Sequence, residues 1–398
     1  MNLDARRQFI RQMLVSGGAL ATGAFPLVSL AKGHSEKRLV IVLLRGGLDS
    51  LHAIVPYGDP DYYRLRQKTA VPGPEEHNGV LKIDNLFALH PALTHLHAAY
   101  GRSDLLLVPA SGTSYRRRSH FDAQNQLENG SHQPFGARDG WLNRALSSIG
   151  PTAASGQRLG LAVGSALPLI LHGQASVRSW SPTSLPVAGD DFLARLLTSY
   201  EADPMMQQLL QEAVSDRLMM GKTDGKKVRR SKLTDLTRVA GKMLASPSGP
   251  RIAVFESHNW DTHTRQPPRL AQRLGELSAG LLTLQSSLGP AWSETAVLVV
   301  SEFGRSLKEN GGQGTDHGTG GMAMLLGGAV NGGKVIGQWP GLAQDQRFEG
   351  RDLHITTPYE GLFKGLLKEH LGMSDASLDE QVFPAHRSVP ALTGLIKT

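Results

Sequence analysis

The sequence predicts an α/β chain built on a doubly wound sheet, with its functional residues gathered at the carboxyl edge of the strands. Three observations carry that expectation. Continuous runs of β-branched residues and leucine recur along the chain, as strands buried on both faces require. Each run opens into a polar or glycine-rich loop. Between the runs lie stretches with apolar residues at every third or fourth position, the mark of a helix that buries one face.

Taken in order, Arg38–Leu44 is the first central strand and opens into Arg45-Gly46-Gly47. Leu105–Val108 repeats the pattern and ends in Pro109-Ala110-Ser111-Gly112. Ser119, with Asp122 three residues on, fits a capping box, so a helix is expected to begin there. A helical insertion is expected at about 201–246, because Met205, Met206, Leu209, Leu210 and Val214 share a helical spacing. Within it, five positive charges between Lys226 and Lys232 read as a solvated face, with a polyanion-binding patch as the alternative. Ile252–Phe255 and Ala296–Val300 are the next two strands. The helix between them, over 269–288, is spaced by Leu270, Leu274, Leu277, Leu281 and Leu284.

Length and composition narrow the chemistry. A chain of 398 residues allows one large α/β domain or two average ones, and a single domain over 32–398 is expected. The 45 glycines are scattered without a period, which excludes a collagen-like repeat and implies many tight loops. There is no cysteine, which excludes disulfides, cysteine-ligated zinc, iron–sulfur clusters and thiol catalysis. Any metal must therefore rest on His, Asp and Glu. The net charge is +7, and the three Arg and one Asp of residues 1–31 leave +5 on the remainder. That mild excess suits an anionic substrate or surface and gives no ground for nucleic acid.

Residues 1–31 read as a twin-arginine signal. Arg6-Arg7 is followed by a weakly apolar stretch from Met13 to Leu30 and by a small-residue cleavage site at Ser29-Leu30-Ala31. The expected location is periplasmic or secreted. Gly17, Gly18, Gly23 and Pro26 interrupt the stretch, so it makes no stable membrane anchor.

Five constellations follow the strands. Gly46-Gly47-Leu48-Asp49-Ser50 places a carboxylate where glycines let the backbone approach, suiting a hard cation, a polar network or a simple helix cap at Asp49. The second, Thr113 to Gln124, sets Arg116, Arg117 and Arg118 before Ser119 at a helix start, where free N–H groups favour an anion or an activated hydroxyl. In the third, Asp261 and His263 share a face if the segment is extended and can converge on a metal. The fourth is Ser301-Glu302-Phe303-Gly304-Arg305. The fifth, Gly311 to Gly321, is a glycine-rich loop carrying Asp316-His317, without the spacing of a nucleotide fingerprint. Asp49, Asp261, His263, Glu302, Asp316 and His317 together offer oxygen and nitrogen but no sulfur, the donor profile of zinc, manganese, magnesium or calcium sites.

The same motifs carry a resemblance. Leu-Arg-Gly-Gly-Leu-Asp-Ser from Leu44, Arg-Ser-His-Phe-Asp-Ala-Gln from Arg118, Asn-Trp-Asp-Thr-His from Asn259, Ser-Glu-Phe-Gly-Arg from Ser301 and Thr-Asp-His-Gly-Thr-Gly-Gly from Thr315 resemble the exported family catalogued as domain of unknown function 1501. That family is similar to the alkaline phosphatase and sulfatase superfamily. The resemblance implies a three-layer α/β/α sandwich, a site for one or two divalent cations and a hydroxyl nucleophile acting at phosphorus or sulfur. It implies Asp49 as a ligand, Asp261 and His263 as a ligand pair, and Ser119 as nucleophile, with Ser114 and Ser50 in reserve. Where the superfamily has an Asp-His pair after a strand, this sequence has Glu302-Phe303. Asp316-His317 then supplies the lost ligand or matches the final histidine. The expected function is an exported metal-dependent hydrolase of phosphate or sulfate esters, with Arg118, its two neighbours or Arg305 steadying the anionic transition state. The alternative, favoured by Phe303, is a non-catalytic exported binding or assembly protein on the same fold, whose partner is a cell-surface polymer or another exported protein.

Overall fold

The structure, a computed structural model, describes residues 36–149, 159–181, 189–200, 202–220 and 232–398. The expected signal segment and, apart from Lys232, the expected charge run lie outside the described residues. Backbone contacts divide the chain into two compact units, 1–35 with 184–227, and 36–183 with 228–398. In the smaller unit the described residues form two helices, Asp190–Ser199 and Pro204–Met220, packed on each other.

Besides a small three-stranded sheet of Ile54–Val55, Leu81–Lys82 and Ala88–Leu89, the larger unit holds a nine-stranded sheet with helices on both faces. Its strands are β1 (Arg38–Leu44), β2 (Leu105–Gly112), β3 (Gly160–Val163), β4 (Val177–Trp180), β5 (Ile252–Ser257), β6 (Thr295–Ser301), β7 (Gly321–Leu326), β8 (Lys334–Val335) and β9 (Thr357–Pro358). They lie in the order β8-β2-β7-β6-β1-β5-β3-β4, with β9 paired to β2. All pairings are parallel except those of β7 with β2 and β6. Leu44 is level with Ser257 on one side and Ser301 on the other. Three chain segments therefore leave the sheet at the same height, and because β7 runs antiparallel, the loop that precedes it lies at that edge too.

Alternation along β1 assigns the layers. Leu39, Ile41 and Leu43 pack in one core with residues of α1 (His120–Asn129), α2 (Trp141–Ile149) and α3 (Tyr359–Leu371), among them Leu127, Trp141 and Phe363. Val40, Val42 and Leu44 are equally buried and point to the other face. There helix 233–245 packs on β5 and on the long helix Gln266–Leu288, which also touches helix 94–101 behind β2. The three-layer α/β/α sandwich is thus the observed architecture, and each fully buried Val or Leu contributes about 1.5–3 kcal/mol to it. The long helix starts three residues earlier than its leucine spacing suggests, because prolines are tolerated in a first turn and Pro267-Pro268 occupy it. Among the described residues no helix is long and apolar enough to cross a membrane.

Candidate metal centre

At the end of β1 the chain turns through Gly46, at φ +124°, a region open to glycine alone. A Cβ there would lie 2.6 Å from the backbone nitrogen of Asp261, so the absent side chain lets the β1 and β5 loops touch. The glycine-rich loop serves the same purpose. A Cβ on Gly314 would run into the His263 carbonyl, so the loop lies flat against the β5 extension and brings His317 beside it. Residue 120 arrives from β2, in the first turn of α1.

These segments bring three imidazoles and a carboxylate together. His120, Asp261 and His317 each present a ligand atom within 4.8 Å of the others. His317 Nε2 lies 3.0 Å from His120 Nε2 and 3.4 Å from Asp261 Oδ1, and His120 Nε2 lies 3.5 Å from Asp261 Oδ2. His263 Nε2 flanks the group, 3.0 Å from His317 Nε2 and 2.9 Å from Asp261 Oδ1.

The outer partners fix which nitrogens face inward. His120 Nδ1 is 2.8 Å from Glu302 Oε1, and His317 Nδ1 is 3.0 Å from the Arg118 carbonyl. An imidazole facing an acceptor at Nδ1 donates there, which leaves an Nε2 lone pair for the centre. Hydrogen bonding to Glu302 raises the His120 pKa. Burial, with the His120 and Arg305 charges behind it, lowers that of His317. Burial works to raise the Asp261 pKa, but the Arg305 hydrogen bond and charge prevail and hold it below the usual carboxylate range.

The donor set fits a small divalent cation. Bond lengths of about 2.0–2.1 Å in a tetrahedral site require ligand atoms about 3.3 Å apart, and the separations among His120, His317 and Asp261 are 3.0–3.5 Å. Two nitrogens and a carboxylate oxygen suit zinc or manganese better than calcium, which takes six to eight oxygens.

Several expected residues take other places. Glu302, expected as a ligand, is 2% exposed, and its Oε1 accepts from the Gly46 N–H, His120 Nδ1 and Gln124 Nε2, so it orients His120. Burial would raise its pKa, and those hydrogen bonds lower it instead. Asp49 is fully buried and paired in bidentate fashion with Arg66, at 2.6 and 3.2 Å, and is not brought into the group. Asp316 is half exposed, accepts from Asn310 Nδ2, and lies 3.5 Å from His263 Nδ1. Arg305, expected at the transition state, is buried and holds Asp261 Oδ1 at 2.7 Å. The Arg118 guanidinium is bound to Asp352 and Glu349. Arg117, by contrast, is exposed, with no hydrogen-bond or ion-pair partner among the described residues.

Ser119 is the N-cap of α1, yet its hydroxyl makes no cap bond, and Asp122 accepts from Tyr115 rather than completing a capping box. Ser114 is exposed and accepts from Gln126, while Ser50 is buried. Sequence reasoning missed His120, although it stands next to the expected nucleophile on a segment already assigned to this edge. Phe303 stands where a second histidine was looked for and packs its ring on His120 and His317, with centroids 4.8 and 5.2 Å away.

A family model described as "Protein of unknown function (DUF1501)" matches residues 36–363. No curated protein matches the sequence. Among solved structures, the chain is similar to the phosphonate monoester hydrolase of Agrobacterium radiobacter, at 13% identity and a TM-score of 0.37, covering 85% of this chain and 74% of that one. It is similar to Ps i-CgsB in complex with k-i-k-neocarrahexaose, at 11% identity and a TM-score of 0.37, over 73% of this chain and 66% of that one, slightly under two thirds of that protein's length. It is also similar to the C-terminal periplasmic domain of EcEptC from Escherichia coli, in complex with Zn, at 9% identity and a TM-score of 0.30, over 73% of each chain.

Proposed function

We propose that this chain, which belongs to the DUF1501 family, is a metal-dependent hydrolase of phosphate or sulfate esters. The observation that carries the proposal is the convergence of His120, His317 and Asp261, with two inward lone pairs fixed by Glu302 and the Arg118 carbonyl. His120, His317 and Asp261 would hold a zinc- or manganese-sized ion, with His263 beside them. A bound ion of this kind acts as a Lewis acid and makes a nearby hydroxyl a better nucleophile.

The chain's own residues supply the rest. Arg305 offsets the Asp261 charge, and three donors, the Gly46 N–H, His120 Nδ1 and Gln124 Nε2, hold Glu302. A divalent cation held there would outweigh the one remaining carboxylate charge, that of Glu302, and would favour an anionic substrate. Arg117, exposed and without a partner among the described residues, would be the arginine to meet a phosphate or sulfate oxygen. Ser119, next to His120 in the chain, would supply the attacking hydroxyl: its oxygen would bond to phosphorus or sulfur as the ester's alcohol leaves, with the hydroxyl proton passing to solvent or to a neighbouring base.

A panel of phosphate monoesters, phosphate diesters and sulfate esters, offered to zinc- and manganese-loaded protein, tests this reading. At least one class should turn over, stop with chelator and resume on reloading. A fully loaded protein inert to every class would contradict hydrolysis and favour the exported binding protein.

A further inference from the structure

We propose that Gln266 and Thr315 are positioning residues that clamp the two ligand-bearing segments together; the proposal rests on the metal-centre reading. Gln266 is fully buried at the start of the long helix. Its Oε1 accepts from Thr262 Oγ1 at 2.9 Å and from Thr315 Oγ1 at 2.8 Å. Thr262 stands between Asp261 and His263, and Thr315 lies two residues before His317. One amide oxygen thus ties the β5 extension to the glycine-rich loop.

The amide's orientation is itself fixed. Asp49 Oδ2 accepts from Gln266 Nε2 at 2.6 Å, and a carboxylate held by the Arg66 guanidinium can only accept, so Gln266 must turn its oxygen toward the threonines. From Thr315 the network reaches the centre. The Arg305 Nε donates to Thr315 Oγ1 at 3.3 Å and its NH2 to the Thr315 carbonyl at 2.7 Å, which fixes the plane of a guanidinium whose NH1 holds Asp261. Asp49, Arg66, Gln266, Thr262 and Thr315 are all 0% exposed, so water replaces none of these bonds. A network that served only the core would close within it. This one ends on a carboxylate that is 40% exposed and faces His120. Asp49 therefore acts at a distance, by setting the amide that sets the ligands.

The experiment measures zinc affinity by competition with a chromophoric chelator, alongside the melting temperature of the metal-free protein. Thr315→Val keeps the shape and loses the hydroxyl, and should weaken zinc binding by about 10–100-fold, the usual effect of an outer partner, while Thr315→Ser stays within about threefold of wild type. Val297→Ala, a core variant remote in chemistry, should lower melting and leave zinc affinity unchanged. If Thr315→Val does not fold, Thr262→Val with Thr262→Ser gives the same comparison on the other arm. A valine variant that binds zinc as tightly as wild type, or a serine variant as weak as the valine, overturns the clamp. Wild type that binds no zinc removes the metal-centre reading itself, and the clamp with it.

Discussion

Replacing His120 with alanine should leave the protein unable to hold a divalent cation while its fold persists. The side chain is one of the three converging ligands, is only partly buried, and sits in the first turn of α1, so its removal creates no large core cavity. Glu302→Gln provides the graded comparison. It keeps the shape but weakens the acceptor for His120 Nδ1, and its cost should fall in the range of about 10–100-fold in affinity. His120→Ala should exceed that range, and adding His317→Ala should cost little more, because the centre is already lost. Equilibrium dialysis against zinc and manganese checks both. An alanine variant with wild-type affinity would place the ion elsewhere.

The second large effect concerns Ser119. Its extended backbone (φ −93°, ψ 125°) and the absence of a side-chain cap bond mean that alanine removes no cap, so the stability loss should fall below the roughly 1 kcal/mol of a working cap. Loss of a covalent nucleophile, in contrast, should lower kcat by about a thousandfold or more with the fold intact. Single-turnover rates on the best ester of the panel, for Ser119→Ala and Ser119→Gly, separate the two roles. If Ser119→Gly keeps the rate and Ser114→Ala or Ser50→Ala loses it, the nucleophile moves to that serine. If all variants keep it, water is the attacking group.

What the sequence discloses depends on how local the cause is. β1 was legible to the residue, because Arg38–Leu44 is buried throughout and its β-branched run has no other use. The antiparallel β7 was not, since Gly321–Leu326 contains no β-branched residue and follows directly on the glycine-rich loop. The edge that carries the centre was legible from motifs placed after strands. Which atom faces inward was not. Glu302 emerges where a ligand was expected, but the turn at Gly46 and the arrival of α1 present it to His120 instead. Asp49 is engaged by Arg66, seventeen residues on at the C-cap of the short helix Pro60–Leu65, a pairing that no periodicity reveals. His120 was hidden by its neighbour, because a helix start beside a serine draws attention to capping before ligation.

The central claim, that His120, His317 and Asp261 form a metal centre, is tested most directly by metal stoichiometry and metal-linked melting of the wild-type protein. Close to one zinc or manganese ion per chain is expected, since Asp49 is engaged by Arg66 and Glu302 by the outer nitrogen of His120, leaving neither as a ligand for a second ion. Chelator should lower the melting temperature, and free metal at about 100-fold above Kd should stabilise the fold by about 2.7 kcal/mol. Protein that holds no divalent metal, and melts at the same temperature with chelator, with zinc and with manganese, would contradict the account.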